Sequence, residues 1–294
     1  MCIREKILCT RGVQKMRKIT TEKIKEFNDC LIDAEKAQAT VSKYLHDVSE
    51  FKKWLGDEAL CKKTVLKYKL YLCEQYAPAS VNASLSSLNS FFNFMKWYDL
   101  RVKSLKIQKQ IFSSLDKELT KAEYERLLRA AKQKKNERLY ILMQTICSTG
   151  IRVSEVRYVT VEAIERGIAE INCKGKNRRV FLPKQLCKIL KRYIKEQKIK
   201  SGAVFVTKNG NPLDRSNIWS DMKKLCKAAN VSDKKVFPHN LRHLFARTYY
   251  SLQKDIVRLA DILGHSSVNT TRIYTMETGE IHQKQIEKLG LLRC

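Results

Sequence analysis

The 294-residue sequence contains no stretch of about 18 consecutive apolar residues, the length that a bilayer-spanning helix requires. Its ten cysteines are scattered singly, and no Cys-X-X-Cys pair is present. This spacing disfavours a zinc ribbon and a disulfide scaffold, and it favours thiols in a reducing cytosol. The basic start of the chain also lacks the apolar run of a secretory signal. We therefore expect a cytoplasmic protein with no membrane-spanning segment and no partner inside a membrane.

Acidic residues are scarce relative to basic ones. Asp and Glu total 30 against 58 Lys and Arg, which gives a formal net charge of +28. Such an excess favours a polyanionic partner, because each neutralised phosphate releases condensed counterions. Nucleic acid is the first candidate and an anionic membrane surface the second, while a basic protein without such a partner is the remaining alternative. Hydrophobic residues make up 44% of the sequence, enough for a packed core.

Helical periodicity dominates residues 17–100, after an expected basic tail at 1–16. Apolar residues recur at three- and four-residue spacing, which predicts four amphipathic helices in a small helical domain that could lie against a duplex. The four segments are 20–35, 42–57, 64–76 and 79–100. From 101 to 116 the periodicity weakens and lysine dominates, which indicates an exposed basic linker.

The remaining region, 117–294, is predicted to form a second and mostly helical domain. Thr120 and Glu123 have the spacing of a capping box at its first helix. The sequence predicts strands at about 168–173 and 178–182, joined by a Lys-Gly-Lys-Asn turn. Further helices are predicted at about 184–199, 214–229, 239–252 and 255–263. The fold class is therefore mainly α with a small antiparallel sheet.

Two clusters in this second domain offer cations for a phosphate. Arg152 follows a helix that ends at Gly150, where its guanidinium could bind a phosphate in a fork; the alternative is an ordinary ion pair with Glu155. The hairpin turn offers Lys174 and Lys176, either of which could act as a general acid. The alternative for the turn is a solvated basic surface.

A third cluster, Pro-His-Asn-Leu-Arg-His, places His239 and Arg242 on one helix face. Arginine neutralises phosphate charge, and histidine can relay a proton near neutral pH. His243 lies four residues after His239, a spacing that also occurs in zinc sites. No Glu lies between the two histidines and no third ligand is evident, so no metal site is expected.

A fourth cluster contains His265 and, nine residues later, Tyr274. On one continuous helix these residues would lie on opposite faces. Gly264 and the polar Ser-Ser-Val-Asn-Thr-Thr run interrupt the helix, so the two side chains could converge instead. A tyrosine considered alone is more often a half-buried packing residue.

Together and in this order, the clusters resemble the tyrosine recombinase/integrase family, in particular its Xer-like and transposon-integrase branch. The resemblance rests on Thr-Gly-Ile-Arg-Val-Ser-Glu, the lysine-bearing hairpin, His-Asn-Leu-Arg-His-X-Phe-Ala, Leu-Gly-His-Ser and Thr-Thr-X-X-Tyr. It covers 116–290, and the helical region before it is similar in layout to the family's core-binding domain. The resemblance implies a helical DNA core-binding domain plus an α-rich catalytic domain with a small antiparallel β-sheet.

The resemblance also implies roles for the clustered residues. Arg152 and Arg242 would clamp a scissile DNA phosphate, His265 would donate a hydrogen bond to it, and His239 would assist as general base. Two guanidinium groups and an imidazole are suited to stabilising the charge of such a transition state.

The resemblance makes Tyr274 the nucleophile, which would form a 3′-phosphotyrosyl link. Lys174 would protonate the departing 5′-oxygen, with Lys176 kept as the alternative. Glu155 is expected to orient a clamping arginine, and His243 is expected to be structural.

As a whole, the resemblance implies a site-specific recombinase that binds double-stranded DNA at inverted-repeat core sites. It would act as a homo-tetramer on two duplexes, associated with the nucleoid, without metal, ATP or a small-molecule cofactor. The apolar pattern after Tyr274 predicts a C-terminal helix that docks on a neighbouring subunit, with packing on its own domain as the alternative. Mobile-element integration or excision and DNA resolution both stay open. A type IB topoisomerase-like enzyme and a non-catalytic DNA-binding regulator are the alternative functions.

Overall fold

The computed structural model describes residues 17–107, 117–173, 176–274 and 286–289. The chain divides into two compact units, Met1–Lys109 and Gln110–Cys294, so the division falls within the stretch predicted as a linker. Across the described ranges, no helix combines the length and the apolar character needed to cross a bilayer.

The first unit is built from helices at the positions that the apolar periodicity predicts. Thr20 caps the first helix by accepting a hydrogen bond from the Lys23 amide, and Pro78 starts the fourth at a position where its missing N–H is not needed. The helices are α1 (Thr21–Asp33), α2 (Gln38–Leu55), α3 (Lys62–Gln75) and α4 (Pro78–Phe94), followed by a 3-10 turn at Tyr98–Leu100.

Aromatic side chains fill the core of this unit. Phe27 of α1 meets Phe91 of α4 edge to face, with 5.3 Å between the ring centroids. Asp47 is the charged exception, because its carboxylate is buried among these helices. It accepts hydrogen bonds of 2.6 Å from both Lys43 and Ser87, so the cost of burying the charge is offset by partners within the unit.

The segment 101–107, the start of the predicted basic linker, has exposed lysines but is bound to α4 by two asparagines. The Asn89 side chain donates to the Val102 carbonyl and accepts from the Val102 amide, at 2.8 and 2.9 Å. Asn82 makes the same pair of bonds with Leu105, at 3.0 and 2.7 Å. Val102 is buried in the core, so these residues pack onto α4 as an extended arm. The rest of the predicted linker, 108–116, lies outside the described residues.

The second unit contains the predicted helices and hairpin. Its helices are α5 (Lys121–Gln133), α6 (Glu137–Thr149), α7 (Val161–Arg166), α8 (Lys184–Glu196), α9 (Arg215–Lys223), α10 (Cys226–Ala229), α11 (Pro238–Gln253), α12 (Ile256–Leu263) and α13 (Val268–Thr271). Strands β1 (Ile168–Cys173) and β2 (Lys176–Phe181) pair antiparallel, with Ile168 opposite Phe181. The strand β2 begins two residues earlier than predicted, because the ladder continues through the Cys173–Lys176 pair.

Helix ends in this unit are set by local chemistry. The capping box predicted at α5 is confirmed, since the Thr120 amide donates to Glu123 Oε2 at 2.8 Å and the Glu123 amide donates to Thr120 Oγ1 at 3.2 Å. Gly150 ends α6 in the left-handed region, at φ 64°. A Cβ there would lie 2.5 Å from Phe245 of α11, so the absence of a side chain lets α11 approach α6 closely.

A Gly150→Ala substitution is expected to destabilise the second unit more than Gly167→Ala does. Both glycines end helices at positive φ, 64° and 71°, so each substitution carries a backbone cost of about 1 kcal/mol. Only Gly150 has Phe245 against it, while nothing lies within 4 Å of a Cβ at Gly167. The overlap adds about 1–3 kcal/mol. Urea unfolding of the two variants measures the difference, and equal losses of stability would contradict the packing argument.

Candidate active site

Arg242, on the second turn of α11, joins two helix ends. It is 1% exposed and donates to the carbonyls of Gly150, at the end of α6, and of Leu263, at the end of α12, the latter at 2.8 Å. Helix C-terminal carbonyls carry partial negative charge, which suits a guanidinium. Burial lowers the pKa of Arg242 to about 10, with Arg152 contributing in the same direction and the Tyr274 phenol opposing it. The side chain therefore stays protonated at neutral pH.

Arg152 lies beside the same helix end. The Glu155 carboxylate accepts from the Arg152 backbone amide at 3.0 Å and from its guanidinium at 2.8 Å. A second guanidinium nitrogen donates to the Gly264 carbonyl at 3.2 Å. The predicted alternative, an ion pair with Glu155, is therefore present. The ion pair leaves the Arg152 side chain 37% exposed next to α12, so its guanidinium stays close to Arg242 and accessible to a ligand.

His265 follows Gly264, which ends α12 at φ 63°. Its Nε2 lies 3.0 Å from an Arg242 nitrogen and its Nδ1 lies 2.8 Å from Thr271 Oγ1. Because a guanidinium can only donate, Nε2 accepts, and the imidazole proton resides on Nδ1. Burial, followed by the charges of Arg242 and other nearby cations, lowers the pKa of His265 to about 4. The ring is therefore neutral at physiological pH.

Tyr274 returns to the same place through α13 and a 3-10 turn at Arg272–Tyr274. Its ring is stacked on that of His265, with centroids 6.1 Å apart and planes 17° apart. It also meets the His243 ring edge to face at 4.8 Å. The break after α12 thus brings His265 and Tyr274 together, as the helix interruption at Gly264 predicted. The tyrosine is 4% exposed and contributes to a small apolar cluster.

The two histidines of α11 lie on the side of the helix that faces Tyr274. His239 and His243 have ring centroids 4.4 Å apart at 67°. Desolvation, Arg242 and Arg215 lower the pKa of His239. Burial and His239 lower the pKa of His243 to about 4, and its buried Nε2 has no hydrogen-bond partner among the described residues.

His239 and His243 have a four-residue spacing that also occurs in zinc sites. Within the parts of the chain that the structure describes, no group of three or more His, Cys, Asp or Glu side chains is arranged to hold a metal ion.

The two hairpin lysines lie at the turn between β1 and β2. Lys174 lies outside the described residues, and Lys176 is paired with Cys173 at the start of β2. The assignment of Lys174 over Lys176 therefore stays a prediction.

Arg178 also lies among these residues, although no motif in the sequence assigned it a role. It donates to Glu155 Oε2 at 3.2 Å and to the Leu263 carbonyl. The alternation of side chains along β2 could have revealed this position, because Arg178 and Val180 share the inward face of the strand. A charged residue at an inward position indicates a buried partner.

The pH dependence of stability should report the suppressed charge of His265. Its pKa is lowered from 6.5 to about 4 on folding, so its contribution to stability is fully present above pH 6.5 and is lost as the pH falls towards 4. The free energy of unfolding of the wild type should therefore fall more steeply across this window than that of His265→Gln. Parallel curves for the two proteins would show that the imidazole is not held neutral.

Both units match models of known protein families. Residues 117–280 match the model of the phage integrase family, and residues 24–98 match that of the phage integrase N-terminal SAM-like domain. The tyrosine recombinase XerA of Thermococcus kodakarensis is 31% identical over 280 residues, which cover 92% of this chain and 96% of that protein.

Solved structures show the same fold. XerH recombinase in a post-cleavage complex with a palindromic difH substrate has a TM-score of 0.69 at 19% identity, covering 92% of this chain and 84% of that one. A lambda integrase tetramer bound to a Holliday junction has a TM-score of 0.70 at 17% identity, covering 88% and 78%. With the family match over 117–280 and the near full-length likeness to XerA, the chain belongs to the phage integrase family and is a site-specific recombinase of the tyrosine type.

Proposed function

We propose that this recombinase cuts and rejoins DNA one strand at a time through a 3′-phosphotyrosyl intermediate on Tyr274. The observation that carries the proposal is the meeting of Arg242, His265 and Tyr274 at the end of α12. The Arg242 and His265 nitrogens are 3.0 Å apart, and the His265 and Tyr274 rings are 6.1 Å apart. Arg242 also interacts with the Tyr274 phenol, so the arginine, the imidazole and the tyrosine form one cluster.

Arg152 and Arg242 would bind the scissile phosphate. Their guanidinium groups already donate to neutral carbonyls at the end of α12, at 3.2 and 2.8 Å. Anionic phosphate oxygens are stronger acceptors than carbonyls, so a phosphate arriving beside the exposed face of Arg152 would compete for these donors. The two charges would then stabilise the extra negative charge of the pentacoordinate transition state.

His265 and His239 would handle protons around that phosphate. A nearby phosphate adds negative charge, which favours a proton on His265 Nε2 and so converts it from an acceptor into a donor. His239 has a lowered pKa and is therefore neutral at physiological pH, the form that can accept a proton from the Tyr274 phenol.

The chemical step exchanges one phosphodiester for another. The Tyr274 oxygen would attack phosphorus, the bond from phosphorus to the 5′-oxygen would break, and Lys174 would protonate that oxygen, with Lys176 as the alternative. The phosphotyrosyl link keeps the energy of the broken bond, so a 5′-hydroxyl can attack it and release the tyrosine. The balance of this exchange requires no ATP, metal or small-molecule cofactor.

The substrate would be two duplexes with inverted-repeat core sites, held by a homo-tetramer at the nucleoid. The lambda integrase neighbour is a tetramer on a Holliday junction, and the XerH neighbour binds a palindromic substrate. In the described C-terminal residues 286–289, Ile286 and Leu289 are 67% and 62% exposed. Such apolar side chains fit the proposal that the predicted C-terminal helix docks on a neighbouring subunit.

A nicked DNA substrate tests the nucleophile. With a nick beside the cleavage site, the short released fragment diffuses away and the covalent adduct accumulates. DNA flanking the gene that encodes this chain is the substrate of choice. The wild type should give a protein–DNA band that survives denaturation, and Tyr274→Phe should give none while still shifting DNA in a native gel.

A covalent band that persists in Tyr274→Phe would show that another residue is the nucleophile. Relaxation of arbitrary supercoiled plasmid at low protein excess, without site preference, would instead favour the topoisomerase alternative.

A sulfur substitution at the 5′-bridging oxygen tests the general acid. Because a thiolate leaves without a proton, loss of the acid should slow cleavage of ordinary DNA by about 10²–10⁴-fold and leave cleavage of the sulfur substrate near the wild-type rate. We expect this selective rescue for Lys174→Ala, with Lys176→Ala cleaving both substrates normally. Rescue of Lys176→Ala alone would reverse the assignment, and rescue of neither would remove the lysine from this role.

A further inference from the structure

We propose that Arg178 is a positioning residue of the recombination reaction, which holds Glu155 and the end of α12 where Arg152 and His265 require them. The proposal rests on the proposed function, because it concerns the geometry of the same phosphate site. It assigns Arg178 no direct contact with DNA.

The placement of Arg178 in the hairpin is unusual for a cation. It lies opposite Ile171 in the ladder and shares the inward face of β2 with Val180, which is 3% exposed. The Arg178 side chain is only 11% exposed, whereas that of its neighbour Arg179, on the outward face, is 72% exposed. An inward arginine costs stability unless buried acceptors meet it, so its presence points to a specific set of partners.

Those partners are the groups that also hold the proposed phosphate clamp. Glu155 Oε1 accepts from the Arg152 guanidinium at 2.8 Å, and Oε2 accepts from the Arg178 guanidinium at 3.2 Å and from the Arg152 amide at 3.0 Å. The Leu263 carbonyl likewise accepts from both Arg178 and Arg242. Arg178 therefore touches one partner of each clamping arginine.

The aliphatic part of Arg178 supports the turn that presents His265. A Cβ on Gly264 would overlap Arg178 Cδ, so the backbone immediately before His265 rests directly on this side chain. Gly264 also has φ 63°, a conformation that favours glycine. The fit is therefore mutual, because the glycine leaves the space that Arg178 fills.

The same residue connects the hairpin to the site. Arg178 is the third residue of β2, and its bonds to Glu155 and Leu263 tie this strand to the 3-10 turn of Arg152 and to α12. Lys174, the proposed general acid, lies four positions earlier in the chain. Both terminal guanidinium nitrogens of Arg178 are engaged with protein acceptors, which fits a positioning role.

Single-turnover cleavage of the nicked substrate, at protein concentrations that saturate the DNA, tests this role. Arg178→Ala should cleave about 100-fold more slowly than the wild type, because small displacements of reacting groups carry penalties of that order. Its affinity for DNA should be unchanged. Arg178→Lys, which keeps the charge but loses the two-pronged reach, should fall between them. Arg179→Ala removes the same charge from the outward face and should cleave at the wild-type rate.

Combination with a clamp variant separates positioning from general destabilisation. The effects of Arg178→Ala and Arg152→Ala on the cleavage rate should be strongly non-additive, because both act through Glu155, whereas those of Arg179→Ala and Arg152→Ala should add. If Arg178→Ala does not fold by circular dichroism, the same cycle is run with Arg178→Lys.

The outcomes distinguish the two proposals. An adduct from the wild type with an undiminished rate in both Arg178 variants would overturn the role of Arg178 alone, as would additive effects with Arg152→Ala. A loss of DNA affinity that fully accounts for slower cleavage would also overturn it. No adduct from the wild type would overturn the proposed function and the role of Arg178 with it.

Discussion

The C-terminal end of α12 holds together the positive charges on which the site depends. Its last carbonyls accept hydrogen bonds from Arg152, Arg178 and Arg242, which reach it from a 3-10 turn, a strand and another helix. Like charges at such short range repel, and burial adds to the cost. The partial negative charge of the helix end, together with the carboxylate of Glu155, offsets that repulsion. The fold thereby brings three arginines from segments far apart in sequence to one helix end.

The same helix end sets the state of the groups that would do the chemistry. Gly264 turns the chain in the left-handed region, so His265 points at Arg242 and the following residues bring Tyr274 back over the imidazole. Burial, reinforced by the surrounding cations, lowers the pKa of His265 to about 4 and keeps it neutral. A group in this state can gain a proton when an anionic phosphate approaches. The C-terminal end of α12 thus determines both the positions of these side chains and the protonation state that the proposed mechanism uses.

Features that depend on local periodicity were predictable from the sequence. The longer helices of both units, the capping box at α5 and the hairpin follow from 3.6- and 2-residue patterns and local hydrogen bonds. The convergence of His265 and Tyr274 was predictable for the same reason, since a glycine and a polar run interrupt α12.

Features that depend on distant partners were not predictable in this way. The attachment of residues 101–107 to α4 was not predictable, because lysines dominate the local pattern and the asparagines that bind this segment lie in α4. The role of Arg178 was not predictable either, because nothing local distinguishes it from the other cations of the hairpin or reveals that Glu155 and Leu263 face it.

The most direct test of the central claim is a structure of the Tyr274→Phe protein bound to its DNA site. The account predicts the scissile phosphate within about 3 Å of both the Arg152 and Arg242 guanidinium groups and next to residue 274. A phosphate bound elsewhere, with both arginines still engaged only by carbonyls and Glu155, would contradict it.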